Sequence, residues 1–302
     1  VPSFRAAAVR VRVPATSANL GPAFDCAGLA LGLHDHVVVR VADSGLSVDL
    51  HGEGADELPR DKRHLVVRSL RAAFDALGGQ PRGLELVCAN RIPQARGLGS
   101  SSAAIVAAVV AARALVLGGE ELLDDAAALR LATELEGHPD NVAACLRGGL
   151  TFAWGMGRDV QAHRVDVHPD VTTVAFIPTT KASTRKVRGL LPATVPHADA
   201  AANSGRAALL ALALTSSPQL LLPATQDLLH QGYRASAMPR SAALVQALRA
   251  DGVPAVLSGA GPTVLALVPP GSVEAVAGRV PRGWTALPLA VEPRGAAVVP
   301  LA

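Results

Sequence analysis

Apolar and polar positions fall into two kinds of run along this chain. Residues 9–13 alternate valine with arginine, which predicts a short strand that Pro14 ends. Residues 15–28 are rich in Thr, Ser, Asn, Gly and Pro and predict a loop. Strand character returns over 29–41, with the β-branched run Val37-Val38-Val39, and again over 84–89. Between them, residues 65–77 carry apolar residues at helical spacing, and Gly78-Gly79 stops that helix. A long Ala/Val helix is expected behind Ser100-Ser101-Ser102, running to Leu117 and stopped by Gly118-Gly119. Further helices are expected over 120–135 and from Pro139 through Leu146, then a strand over 150–154. The polar stretch 158–170 divides the chain into an N-terminal domain, 1–165, and a C-terminal domain, 166–302. Beyond it the pattern predicts strands over 171–177, 254–257 and 263–268 and helices over 200–214 and 241–250. Helices and strands mix without a regular βαβ rhythm, so the fold class is α+β.

The chain has 302 residues, enough for a large core and two domains. Aromatic residues make up only 3%, so the core must be built from Ala, Val and Leu. The net charge is +3 and the pI about 9.1, but no run of five or six Lys or Arg occurs. That pattern argues against nucleic acid and for a few clustered cations that hold a small anion. The most apolar run, 103–117, is interrupted by Arg113 and too short for a bilayer, so no membrane partner is expected. Three cysteines, Cys26, Cys88 and Cys145, lack metal-ligand spacing and read as small buried hydrophobes in a reducing, cytoplasmic setting.

One segment carries candidate chemistry: Pro93-Gln94-Ala95-Arg96-Gly97-Leu98-Gly99-Ser100-Ser101-Ser102-Ala103. Gly97 and Gly99 let a backbone approach a ligand closely. The serines suit a helix N-cap, and the helix behind them offers unpaired N–H groups and a positive dipole end. Such a place takes a polyanion. No Gly-Lys-Ser/Thr occurs anywhere in the chain, so the commonest nucleotide loop is absent. On pattern alone, 97–102 reads equally as a phosphate loop or as an ordinary loop with an N-cap.

Pro93-x-x-x-Gly97-Leu98-Gly99-Ser100-Ser101-Ser102-Ala103 resembles the signature of the GHMP kinases. Two more motifs of that family stand in the right order. They are Pro14-Ala15-Thr16-Ser17-Ala18-Asn19-Leu20-Gly21-Pro22-Ala23-Phe24-Asp25 and Leu257-Ser258-Gly259-Ala260-Gly261-Pro262-Thr263. Finer details resemble the homoserine kinase branch: Glu136-Gly137-His138-Pro139-Asp140-Asn141, Ser183-Thr184-x-x-x-Arg188 and Asp227-x-x-His230-x-x-Tyr233-Arg234.

The resemblance implies an N-terminal domain of the ribosomal S5 domain 2 type and a ferredoxin-like C-terminal domain, joined as a homodimer. It implies ATP at 93–103, Mg²⁺ as cofactor and L-homoserine as acceptor. Asp140 and Ser100 become the catalytic candidates. Asn19, Asp25, His138, Asp140, Asn141, Thr184, Arg188, Arg234 and Gly259 become the substrate-site candidates. Asn19 and Asp25 match an ammonium, and Arg188 and Arg234 match a carboxylate. Ser100 and Glu134 are the expected metal ligands, with Glu136 in reserve. His64 stands where the family often places an Asn that lines the adenine site. The competing expectations are a GHMP kinase for mevalonate or a sugar, and a catalytically silent binding protein of the same fold. His34-Asp35-His36 reads as solvent-facing strand, since no further metal ligand lies nearby.

Overall fold

The computed structural model describes residues 2–301. Eleven strands form two sheets among the described residues. The larger sheet is built by β1 (Val9–Ala18), β2 (Ala27–Ala42), β3 (Gly45–Gly52), β4 (Gly83–Asn90), β5 (Leu150–Trp154), β6 (Gln161–Val165) and β11 (Ala297–Val299). Its order is β11-β1-β2-β4-β3, and β5 joins the other end of the long β2 and carries β6. The smaller antiparallel sheet has the order β10-β7-β9-β8, from β7 (Thr172–Pro178), β8 (Ala255–Leu257), β9 (Val264–Val268) and β10 (Trp284–Leu289).

The principal helices are α1 (Leu65–Ala76), α2 (Ser100–Leu115), α3 (Asp125–Glu136), α4 (Asp140–Arg147), α5 (His197–Thr215) and α6 (Pro239–Ala250). Eleven of the sixteen residues of α2 are buried, so it lies inside the molecule and not on its surface. Its Ala and Val side chains allow α1, α4 and β1 to pack closely around it.

The pattern reading holds for many elements; it passed over β6, inside the polar stretch 158–170, and β10, and departs in four further places. The strand expected to end at Pro14 continues to Ala18, with a register shift between Pro14 and Ala15. Proline lacks an N–H to donate, so the ladder bulges there and resumes. Ala15, Thr16, Ser17 and Ala18 are all buried beside α2 and α4, and tertiary cover keeps this polar-looking segment in the sheet. The single helix expected over 120–135 is two, because Asp124 caps a fresh start by accepting the Ala127 N–H at 2.7 Å. The alternating Leu46, Val48 and Leu50 form β3, a strand the pattern reading passed over. Finally, the chain leaves the smaller sheet after β10, bridges Leu31 through Val291 and adds β11 to the open edge of β1. The last residues thus complete the first sheet, although they follow the second in sequence.

The approach of α4 to β2 is tight. A Cβ on Gly28 would lie 2.2 Å from the Asp140 carbonyl oxygen and 2.9 Å from the Ala144 Cβ. Gly28→Ala is therefore expected to lower stability by about 1–3 kcal/mol through overpacking, measured as the shift in urea-unfolding midpoint.

Candidate active site

The site forms where three distant segments meet at the head of α2. Gly99 caps that helix in the left-handed region (φ 71°), and Gly97 before it is also left-handed (φ 78°). A Cβ on Gly97 would lie 2.3 Å from the Ser258 carbonyl oxygen, and one on Gly99 only 1.9 Å from the Thr16 hydroxyl. Polar contacts complete the closure. The Ser258 hydroxyl donates to the Gly97 carbonyl (2.6 Å) and sits 2.8 Å from the Ser17 hydroxyl. Thr16 donates to Asn141 Oδ1 (2.8 Å), and Asn19 Nδ2 donates to the Gly259 carbonyl (2.9 Å). The three expected motifs are therefore one physical unit.

A cavity of about 400 Å³ opens in front of this unit. Ala95, Gly97, Gly99, Ser100 and Ser101 form one wall, and Asn19, Asp25, His138, Asp140, Arg188 and Arg234 form the others. Of the segment expected to hold ATP, Leu98 and Ser102 are buried and line neither this cavity nor the hollow beside it, and neither does Pro93. Ala103, though buried, lines that second hollow, as does Gln94, whose Nε2 donates to the Glu53 carbonyl at 3.3 Å. Arg96 turns away as well. Its Nε donates to the Pro178 carbonyl (2.9 Å) and its Nη2 to that of Thr179 (3.1 Å), which fastens the C-terminal half to the loop. Its side chain is not placed to serve a phosphate.

Helix geometry separates the two candidate metal carboxylates. Glu134 and Glu136 stand about 200° apart around α3, at about 100° per residue, so they cannot face the same way. Glu136 faces the head of α2, where its Oε1 accepts the hydroxyls of Ser101 (2.6 Å) and Ser102 (2.8 Å). Glu134 is exposed and lines a separate hollow with Leu123, Arg130 and Arg158.

On the opposite wall the expected ammonium and carboxylate partners hold each other. Arg188 donates Nη1 to Asp25 Oδ2 and Nη2 to Asp25 Oδ1, both at 2.7 Å, a bidentate pair. This bond and its charge push the Arg188 guanidinium further up. Asp25 itself sits in the left-handed region (φ 56°), as do Asn19 and Leu20, and its N–H is held by Asn19 Oδ1 at 3.0 Å. Three non-glycine residues in that conformation mark a strained turn.

Arg234 is only 1% exposed, and burial pushes its pKa down. Its Nη1 donates to His230 Nδ1 (3.1 Å) and to the Gly259 carbonyl (3.2 Å), while its Nε has no partner among the described residues. Arginine can only donate, so His230 presents a lone pair on Nδ1 and its Nε2–H donates to the Gly21 carbonyl (2.8 Å). Phe24 lies between the two guanidiniums, 5.3 Å from Arg188 and 5.4 Å from Arg234, and 5.2 Å from the His230 ring. Phe24 and His230 thus support the site; both lie inside the motifs read from the sequence, which gave neither as a ligand-contacting residue.

Asp140 is 2% exposed. Its Oδ1 engages His138 Nδ1 (2.7 Å) and accepts the Asn141 N–H (2.7 Å). Burial alone would push the His138 pKa down, but the hydrogen bond to Asp140 and its charge outweigh that and raise it. Thr184, another substrate-site candidate, has its side chain outside the described part of the structure. The thiols are inert, as burial pushes Cys26 up to about 11 and Cys88 up to about 12. No cluster of three or more His, Cys, Asp or Glu placed to hold a metal occurs among the described residues. Asp35, expected to face solvent, is buried in phase with Leu33 and Val37 on β2.

The raised pKa of His138 gives a signed expectation. A group whose folded pKa is raised stabilises fully below its unfolded value and loses that contribution as pH rises through the folded one. Chemical unfolding across the neutral range should therefore show stability falling as His138 deprotonates, and His138→Gln should flatten that slope.

Residues 64–149 match the family model of the GHMP kinases N terminal domain, and residues 200–286 that of the GHMP kinases C terminal region. The chain is 65% identical to a homoserine kinase of Streptomyces avermitilis over 100% of its length and 99% of the relative's. It is 52% identical to one from Clavibacter michiganensis, covering 96% and 93%. A solved putative homoserine kinase from Listeria monocytogenes superposes with a TM-score of 0.78 at 32% identity, over 97% of this chain and 100% of that one. A homoserine kinase from Cytophaga hutchinsonii shares the fold with a TM-score of 0.84 at 24% identity, over 99% of each chain. With all three motifs closed around one cavity, and relatives this similar over the full length, the chain belongs to the homoserine kinase family of the GHMP kinases.

Proposed function

We propose that the protein transfers the γ-phosphoryl group of ATP to the side-chain hydroxyl of L-homoserine, giving O-phospho-L-homoserine. The observation that carries this reading is the double character of the cavity. One wall is an open helix head suited to phosphate, and the other presents Asp25, Arg188 and Arg234. A zwitterionic amino acid can exchange for the Asp25–Arg188 pair without leaving a charge uncompensated. Its ammonium takes Asp25, and its carboxylate takes Arg188 and the unpaired Nε of Arg234. Mevalonate and sugars lack the ammonium. No helix among the described residues is long and apolar enough to cross a membrane, and the free thiols suit a reducing cytoplasm.

The phosphates lie against the backbone N–H groups of 97–101, and the base enters a second hollow of about 180 Å³ on the far side of Ser100 and Ser101. That hollow is walled by Val13, Val37, Leu58, Leu65 and Val66, an apolar slot suited to a flat ring. The oxygens of Glu136, Ser100 and Ser101 fit Mg²⁺, which takes one or two carboxylates together with substrate phosphates. When bound, the ion neutralises phosphate charge that no P-loop lysine neutralises here. Asp140, its Oδ1 committed to His138 and Asn141, offers Oδ2 to the acceptor hydroxyl and takes its proton. His138 holds that carboxylate in place.

With Mg-ATP, homoserine is expected to support ADP release. Turnover on mevalonate or galactose with none on homoserine would reject the assignment. Glu136→Gln should lower kcat by about a hundredfold, while Glu134→Gln leaves it within about twofold of the unmodified enzyme. Arg234→Ala should raise the homoserine KM by about tenfold or more and leave that for ATP unchanged.

A further inference from the structure

Two titratable side chains, Asp35 and His64, line the second hollow beside Asn90, Gln94 and the loop serines. Asp35 is 7% exposed. Its Oδ1 accepts two backbone N–H groups, from Arg91 at 2.5 Å and Ile92 at 2.9 Å, where β4 leads into the phosphate loop. Its Oδ2 has no hydrogen-bond partner among the described residues. His64 is 4% exposed, sits at the N-cap of α1 and has no partner for Nδ1. Burial pushes its pKa down, so its ring is neutral. His64 Nδ1 is a buried polar atom without a partner, which is rare in folded proteins and points to a group present in the working state, while Asp35 Oδ2 is the carboxylate oxygen left free where Asp35 lines the hollow.

We propose that Asp35 reads position 6 of the nucleotide base, accepting a hydrogen from an exocyclic amino group and rejecting a carbonyl. The proposal rests on the hollow being the base site. Two backbone donors fix Oδ1, so the carboxylate cannot rotate, and Oδ2 is the oxygen left for a ligand. Burial raises the Asp35 pKa to about 6, against the pull of those two hydrogen bonds, so above that pH the group is ionised and can only accept. A 6-amino purine presents a donor to it. A 6-oxo purine would place an acceptor against an acceptor, which costs a desolvated, unpaired oxygen on each side. His64 supplies a second polar contact at the edge of the same ring.

Asp35→Asn makes the idea sharp. The asparagine Oδ1 is still required by the two backbone N–H groups, since its NH₂ cannot accept them. Its NH₂ is thereby turned toward the base, and an acceptor site becomes a donor site.

The test measures kcat/KM for ATP and for ITP, its 6-oxo counterpart, with homoserine saturating. The unmodified enzyme should favour ATP by about tenfold or more, the scale of one hydrogen bond to a charged group. In Asp35→Asn that ratio should fall by at least about tenfold, with an absolute gain on ITP and an unchanged homoserine KM. An unchanged ratio, or equal losses on both nucleotides, would overturn the proposal and leave Asp35 as an anchor of the loop alone. Purine riboside triphosphate, which has only hydrogen at position 6, gives the same answer without a variant. Its KM with the unmodified enzyme should exceed that of ATP by about tenfold, and equality would overturn the proposal. Tripolyphosphate competing as tightly as ADP would instead show that the base makes no contact, and the base-site reading would fall first.

Discussion

At the head of α2, the backbones of three segments more than seventy residues apart in sequence come within van der Waals contact, and the rest of the site follows from that closeness. Gly97 and Gly99 have no room for a Cβ because the Ser258 carbonyl and the Thr16 hydroxyl already occupy the space. Their left-handed conformation aims N–H groups outward, and their lack of side chains lets 258–261 lock over them. The helix behind is buried almost all round, so its dipole acts through a poorly solvated interior, and its N-terminus opens on the cavity. The loop 97–101, which has no lysine, thus offers its backbone and not a side-chain cation.

Facing that backbone wall is one made of charge. Asp25 is held in a strained turn, Arg188 grips it, and Phe24 is flanked by two guanidiniums and backed by His230. These residues come from both halves of the chain, and Arg96 and its carbonyl partners at 178 and 179 hold the halves together beside them.

Much of this was legible from the residues in order. Three motifs marked the segments that meet, and their polar residues named most of the cavity walls. Misreadings arose where a local signal had a distant cause. Ala15, Thr16, Ser17 and Ala18 look like loop by composition and are strand because helices cover them. Arg96 sits inside the phosphate motif yet serves two carbonyls more than eighty residues away. Asp35 was set aside with its flanking histidines, although the two-residue period of β2 puts it in line with Leu33 and Val37 and so inside. That signal was available, but the triplet was weighed only as a metal pair and set aside because no further ligand lies nearby.

What the sequence by itself determined was most of the helices and several strands, the family and the chemical vocabulary of the site. Helical period, glycine stops and motif order are local properties, and each is readable without knowing what lies across the fold. Only the tertiary structure decided which of two glutamates on one helix turn faces the serines, that Asp25 and Arg188 neutralise each other, and that Asp35 and His64 share a hollow. The reason is geometric. A side chain's direction depends on a rotation of about 100° per helical residue and on what packs against it, and its charge depends on neighbours that the chain brings close only when folded.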